Sequence, residues 1–237
     1  MPVTLSNEFY ETYWSDRGFS PTGLLGSAVR DLLDRHTRPG DLIADVGCGD
    51  GQVVAPWAAA NERRYVGLDI ARAAVARVRG AGFEARLITD PPSLPLDDGS
   101  ADVATVFEVL EHLVEPQALL TEVRRMLKPG GRLLVTVPNS AYWLRRIELG
   151  LLGRFNPYGD AESAQRPWRD PHVRFFTRSS LTRLLGEAGF ADIRAGGHGH
   201  PVFSLRTRVE ATPPLRLVMR MRPEIAAPSL HATARSD

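Results

Sequence analysis

Leu42-Ile43-Ala44-Asp45-Val46-Gly47-Cys48-Gly49-Asp50-Gly51 is the stretch that decides the fold. Its first half is a short apolar run suited to a buried strand, and its second half is a glycine turn. Glycines let the backbone turn tightly and bring its N–H groups, with the N-terminus of the next helix, close to a ligand. That helix is predicted over Gln52–Ala60. A dinucleotide fold asks for G-x-G-x-x-G. Here the pattern is Gly47-x-Gly49-x-Gly51, and Gln52 stands where the third dinucleotide glycine would be. Tyr65-Val66-Gly67-Leu68-Asp69 predicts a second strand. It ends on an acid, where a carboxylate can accept hydrogen bonds from both hydroxyls of a ribose.

The rhythm continues downstream, with a helix over Ile70–Arg79 and strands over Glu84–Ile88 and Ala101–Phe107. A helix over Pro116–Leu127, closed by Lys128-Pro129-Gly130-Gly131, leads to a strand over Arg132–Val137. Strands alternating with helices pair in parallel through right-handed crossovers, which predicts a doubly wound α/β sheet. Upstream, Leu24, Leu25, Val29, Leu32 and Leu33 share one face of a helix starting near Thr22 and broken by Pro39-Gly40. Residues 138–171 interrupt the pattern with a short apolar helix from Trp143 through Leu152; so long a connection predicts a lid or binding loop. Thr177 is expected to cap a helix over Ser179–Ala188, closed by Gly189. Further strands are expected at Ala191–Ala195 and Leu215–Met221. The chain therefore divides into an N-terminal helical cap (1–38), a main domain (39–223) with an insertion at 138–176, and a flexible tail (224–237).

Composition narrows the function classes. With 237 residues, 43% hydrophobic and 24% charged, the chain fits one large folded domain and is not a disordered polymer. No run of 18 apolar residues occurs, so no transmembrane helix is expected. Met1 to Tyr10 lacks a basic region followed by an apolar stretch, so no signal peptide is expected either. One cysteine, Cys48, excludes an internal disulfide framework and a cysteine-based zinc site, and points to the cytoplasm. A net charge of +1 gives no reason to expect a nucleic-acid or membrane partner.

Val46 to Gly51 with Asp45, followed by Gly67-Leu68-Asp69, resembles motifs I and II of the class I S-adenosylmethionine-dependent methyltransferases. Three further segments extend the likeness in order. They are Asp90 with Leu94-Pro95 and Asp98-Gly99-Ser100-Ala101-Asp102, then Phe107 to Leu113, then Leu127 to Gly131. The resemblance covers roughly residues 40–195 and implies a Rossmann-like, mostly parallel seven-stranded sheet with an N-terminal helical segment and an inserted lid. It implies S-adenosylmethionine as cofactor and S-adenosylhomocysteine as product. Asp45, Gly47, Cys48, Gly49 and Gly51 should meet the methionine part, Asp69 the ribose, Ile70 the adenine face and Asp90 the adenine amino group. Phe107 counts with the same pocket. Cys48 is expected to pack as a small side chain and not to act as a thiol catalyst. The chain departs from the family at Pro91, which lacks the N–H that commonly meets an adenine ring nitrogen.

Glu108-x-x-Glu111-His112 follows strand four, at the edge where the family places the reactive methyl. Three readings stand side by side: pocket shaping, a general base at His112, or a divalent metal held by Glu108, Glu111 and His112 with His172 as a distant fourth ligand. The metal spacing resembles that of ubiquinone-pathway O-methyltransferases and small-RNA 2′-O-methyltransferases. The base reading is carried forward, with His112 and His172 as catalytic candidates and no metal. Tyr10, Tyr13, Trp14, Tyr142, Trp143, Phe155, Tyr158 and Trp168 fall in the two segments expected to enclose an acceptor. The resulting expectation is methyl transfer to a small molecule, most readily to oxygen. The alternatives are a metal-dependent RNA 2′-O-methyltransferase and a methyltransferase-fold partner protein without activity. The glycine spacing disfavours a nicotinamide dehydrogenase.

Overall fold

Alternate residues of a strand go to opposite faces, and in this chain each face gathers its own core. The computed structural model describes residues 7–16, 23–153, 170–198, 225 and 227–237. Helices α1 (Asn7–Asp16) and α2 (Gly23–His36) precede the predicted alternation. Then come β1 (Leu42–Val46), α3 (Val54–Ala60), β2 (Arg64–Asp69), α4 (Arg72–Gly80) and β3 (Ala85–Leu87). β4 (Ala101–Phe107), α5 (Pro116–Met126), β5 (Leu127–Pro138), α6 (Trp143–Leu152), α7 (Arg178–Glu187), β6 (Phe190–His198) and β7 (Ser229–Ser236) complete the order. On one face, Ile43, Tyr65, Val103 and Leu134 pack under Leu33 of α2, Ala55 of α3 and Val78 of α4. On the other, Ala44, Val66, Val106 and Val135 pack under Leu120 of α5 and Leu185 of α7. Burial on both faces explains why the central strands read as nearly continuous apolar runs.

The seven strands lie in the order β3-β2-β1-β4-β5-β7-β6. β1 pairs in parallel with both β2 and β4, so the chain winds outward from β1 in two directions. The crevice beyond the carboxyl ends of β1 and β4 is the switch point, where such sheets bind ligands. The loop after β3 is fixed by Arg125 of α5, which donates to the carbonyls of Leu94 and Leu96 and to Asp98. Thr177 caps α7 as predicted, accepting from the Ser180 N–H while the Ser180 hydroxyl accepts from the Thr177 N–H. No described helix is long and apolar enough to cross a membrane.

The tail departs from expectation. Residues 224–237 were expected to be flexible, yet Ser229–Ser236 forms β7, an interior strand antiparallel to β5 and β6. Leu230, Ala232, Ala234 and Ser236 are buried at every second position, and the neighbouring strands supply the backbone partners. The strand expected at Leu215–Met221 lies outside the described residues. β5 also begins earlier than predicted: Lys128-Pro129-Gly130-Gly131 belongs to the strand as an irregularity in its pairing with β4, with Gly130 at a φ of 74°.

Candidate active site

The glycine turn after β1 is held from β2. The N–H groups of Gly47 and Cys48 both donate to the Leu68 carbonyl, at 2.7 and 3.2 Å. Gly47 has a φ of 72°, and a Cβ there would strike the Val109 side chain, so only glycine fits. Asp69 clasps the turn to the next helix: one carboxylate oxygen accepts from Gly49 N–H and the other from Ala71 N–H, each at 2.9 Å. Burial raises the Asp69 pKa, and the backbone N–H bonds offset part of that rise. Each Asp69 oxygen keeps a lone pair for a further donor, the arrangement a ribose diol needs.

Asp45 turns inward instead. Thr105 donates to one of its oxygens at 2.6 Å and Tyr65 to the other at 3.2 Å. The cause is register: Asp45 stands opposite Thr105 on β4 and opposite Gly67 on β2, two residues from Tyr65. Burial pushes its pKa up to about 6 against those two hydrogen bonds. Its carboxylate braces the end of β1 against β4 and β2 beneath the glycine turn. Cys48 packs as expected, its thiol held well above the ordinary range by burial and by the Asp45 carboxylate. Gly51 lies over Val78 and Tyr65. Ile70 and Phe107 are half-buried, each against a different core, whereas Asp90 is exposed.

The chain beyond β4 builds the second half of the site. Glu108 sits in left-handed backbone at a φ of 55°, locked by its N–H on the Thr136 carbonyl at 2.9 Å. Strain of this kind at a non-glycine residue persists only where surroundings enforce it, and it gathers at functional sites. The 3₁₀ turn Leu110–His112 follows. The Glu111 carbonyl accepts from Val173 and Arg174 N–H, at 2.8 and 3.0 Å, which zips the segment carrying His172 onto the turn carrying His112. The two imidazoles lie 4.4 Å apart, ring centre to ring centre, tilted by 31°. One ligand atom from each of Glu111, His112 and His172 lies within 4.8 Å of the others.

The protonation states follow from the partners. His172 Nδ1 lies 2.5 Å from Asp170. A carboxylate only accepts, so Nδ1 carries the proton and Nε2 is the basic nitrogen. His112 Nδ1 meets the Pro171 carbonyl at 3.3 Å, which fixes the same tautomer. Burial and the neighbouring His172 bring the His112 pKa down to about 4, so His112 is neutral at pH 7. Glu108 and Glu111 form a buried carboxyl pair. Burial pushes Glu108 up to about 7, and burial and Glu108 push Glu111 well above the usual carboxyl range. Among the described residues the Glu111 carboxyl meets the Glu108 carboxyl and lies 3.9 Å from His112 Nε2.

The predicted residues thus separate into groups. Gly47, Gly49 and Asp69 come together as one unit, and Glu111, His112 and His172 as another. Glu108 abuts Glu111 but lies outside the ligand cluster. Phe155, Tyr158 and Trp168 lie outside the described residues. Sequence reasoning missed the contact of Asp170 with the His172 ring. The spacing Asp170-Pro171-His172 was the available signal, because an acid two residues before a histidine can turn back to its ring.

A doubly wound sheet with a glycine turn after β1 and a carboxylate at the end of β2 defines the Rossmann-like class. Residues 13–195 match the family described as methyltransferase domain, and the chain belongs to that family. A probable S-adenosylmethionine-dependent methyltransferase of Mycolicibacterium smegmatis is 35% identical over 65% of this chain and 54% of its own length. A ubiquinone biosynthesis O-methyltransferase of Chromobacterium violaceum is 25% identical over 95% of this chain and 92% of its own. A solved Thermotoga maritima protein, described as a possible histamine N-methyltransferase, shares the fold with a TM-score of 0.62 at 16% identity; the match covers 91% of this chain and 90% of that one. The chain spans only about half the length of the Mycolicibacterium relative.

Proposed function

We propose that the protein transfers the methyl group of S-adenosylmethionine to a hydroxyl oxygen of a small-molecule acceptor. The observation that carries this reading is the convergence of Glu111, His112 and His172 beyond β4, beside the glycine turn and Asp69. The full-length likeness to an O-methyltransferase supports oxygen as the methylated atom. The chain's own residues fit the cofactor: Asp69 offers lone pairs to a ribose, and glycines at positive φ let the turn pack against Val109 and Val78 where a Cβ would not fit. When bound, the cofactor supplies an electrophilic methyl group on a sulfonium. His172 Nε2 takes the proton of the acceptor hydroxyl. Asp170 holds the imidazole in the required tautomer and stabilises the imidazolium that forms. His112, neutral and fixed on the Pro171 carbonyl, presents an accepting nitrogen that orients the acceptor.

A second reading rests on the closeness of the Glu111 carboxyl to the two imidazoles. Glu111, His112 and His172 make a two-imidazole, one-carboxylate set suited to magnesium, manganese or zinc. A metal there would act as a Lewis acid that eases loss of the hydroxyl proton. The deciding experiment follows methyl transfer to a panel of phenols and polyols with and without chelator, for wild type, His172→Ala and Asp170→Asn. Turnover that survives chelation and falls in both variants supports the base. Loss on chelation, restored by metal, supports the metal. Undiminished turnover in both variants without chelator removes His172 from the chemistry.

A further inference from the structure

Helix α6, in the long connection after β5, joins neither core: none of its residues is buried. Its last turn, Leu149-Gly150-Leu151-Leu152, carries no polar side chain. Ile147, Leu149, Leu151 and Leu152 are 42, 49, 79 and 60% exposed. Successive helical residues are rotated by about 100°, so these four side chains spread over roughly 200° of the circumference. The apolar stripe that a helix lays against a protein core is about 100° wide, whereas a helix apolar nearly all round belongs in an apolar medium. The helix end is prepared for such a medium. Gly153, in left-handed backbone at a φ of 61°, donates its N–H to the Glu148 and Leu149 carbonyls, which lowers the cost of taking this end out of water. Arg146 is exposed on the remaining side of α6, whereas Arg145 is tied to Glu148. An arginine so placed lays its methylenes over apolar surface and keeps its guanidinium among polar headgroups. Phe175, 46% exposed, stands beside the root of the helix, where Ser140 N–H donates to the Phe176 carbonyl at 2.9 Å.

We propose that α6 seats this edge of the protein on an anionic lipid surface, with its exposed leucines and Ile147 in the interface and Arg146 at the headgroups. The whole chain carries a charge of only +1, so the attraction is local to this helix and not a property of the bulk charge. α6 follows directly on the carboxyl end of β5, and its lead-in is bonded to the segment that carries His172. Seating α6 therefore brings the edge of the sheet that holds the candidate site next to the bilayer.

The test is co-sedimentation with vesicles of phosphatidylcholine alone and of phosphatidylcholine with phosphatidylglycerol. The proteins are wild type, Arg146→Gln and the double variant Leu151→Asp with Leu152→Asp. All three positions are exposed, so the cores are untouched, and thermal unfolding of each protein checks this. Wild type should bind the mixed vesicles. The double variant should bind them about tenfold or more weakly, the scale of withdrawing two leucine side chains from an apolar medium. Arg146→Gln should lose about fivefold on the mixed vesicles and little on phosphatidylcholine alone. A wild type that stays in solution with both kinds of vesicle overturns the proposal. Reversible self-association of that wild type by sedimentation velocity, lost in the double variant, would then give the face to a second copy of the chain. Wild-type binding by the folded double variant overturns α6 as the seat. Equal binding of wild type to both kinds of vesicle overturns the part given to anionic lipid and Arg146.

Discussion

Asp69→Asn tests the clasp between the glycine turn and α4 with almost no change in volume. The wild-type carboxylate accepts one N–H on each oxygen, from Gly49 and Ala71, both at 2.9 Å and both buried. An amide keeps one acceptor and turns an NH₂ toward the other N–H. One buried donor is then left without a partner, at a cost of about 1–3 kcal/mol. Relief of carboxylate burial offsets part of this, since burial already raises the Asp69 pKa. The net loss of stability should therefore fall at the low end, about 1–2 kcal/mol, read as a lower urea midpoint at constant slope. One ribose hydroxyl loses its acceptor as well, so S-adenosylhomocysteine should bind roughly 5- to 100-fold more weakly by calorimetry, about 1–3 kcal/mol. A variant with wild-type midpoint and an affinity within about twofold of wild type would refute both roles. Asp69 would then merely end a strand.

Asp45 should leave its mark on the pH dependence of stability. Its folded pKa of about 6 exceeds the unfolded carboxyl value of 3.8, so the native state takes up a proton first. The stability this contributes is present below pH 3.8 and lost as pH rises through about 6, a span of about 3 kcal/mol. Urea titrations of wild type and Asp45→Asn should therefore diverge in the variant's favour between pH 4 and pH 7; parallel curves would show that the carboxylate is not desolvated. Gly47→Ala forces a Cβ into Val109 at a φ of 72°, and should destabilise the fold by about 1–3 kcal/mol in the same assay. His172→Ala should lower turnover by about 10²- to 10⁴-fold, the usual range for a general base. Asp170→Asn should lower it by a smaller factor with cofactor affinity unchanged, and a loss of cofactor binding instead would make Asp170 structural.

The sheet was largely legible because its central strands are buried on both faces and therefore written in apolar residues, with glycines where the chain must turn. Gly47 could be read from spacing alone, since a positive φ leaves few other residues possible. β7 could not. Ser229–Ser236 alternates Leu230, Ala232 and Ala234 with His231, Thr233 and Arg235, and it becomes a strand because β5 and β6 flank it. The setting of Asp45 was hidden for a related reason: its partners, Thr105 and Tyr65, come from neighbouring strands, and register is not written in a local motif. The pairing of His112 with His172 depends on the Glu111 carbonyl holding Val173 and Arg174, a backbone contact with no side-chain signature. The acid on His172 follows from a turn of two residues, and was there to be read.

The central claim is that the methyl group goes to oxygen on a small molecule. It is tested most directly by incubating the protein with S-adenosylmethionine labelled with carbon-13 in the methyl group and a panel of hydroxylated aromatic and aliphatic compounds. The carbon chemical shift of the transferred label is then read by NMR. The account predicts a resonance in the methyl-ether region, absent without enzyme and strongly reduced in His172→Ala. A label found on nitrogen or carbon, with none on oxygen, would contradict it.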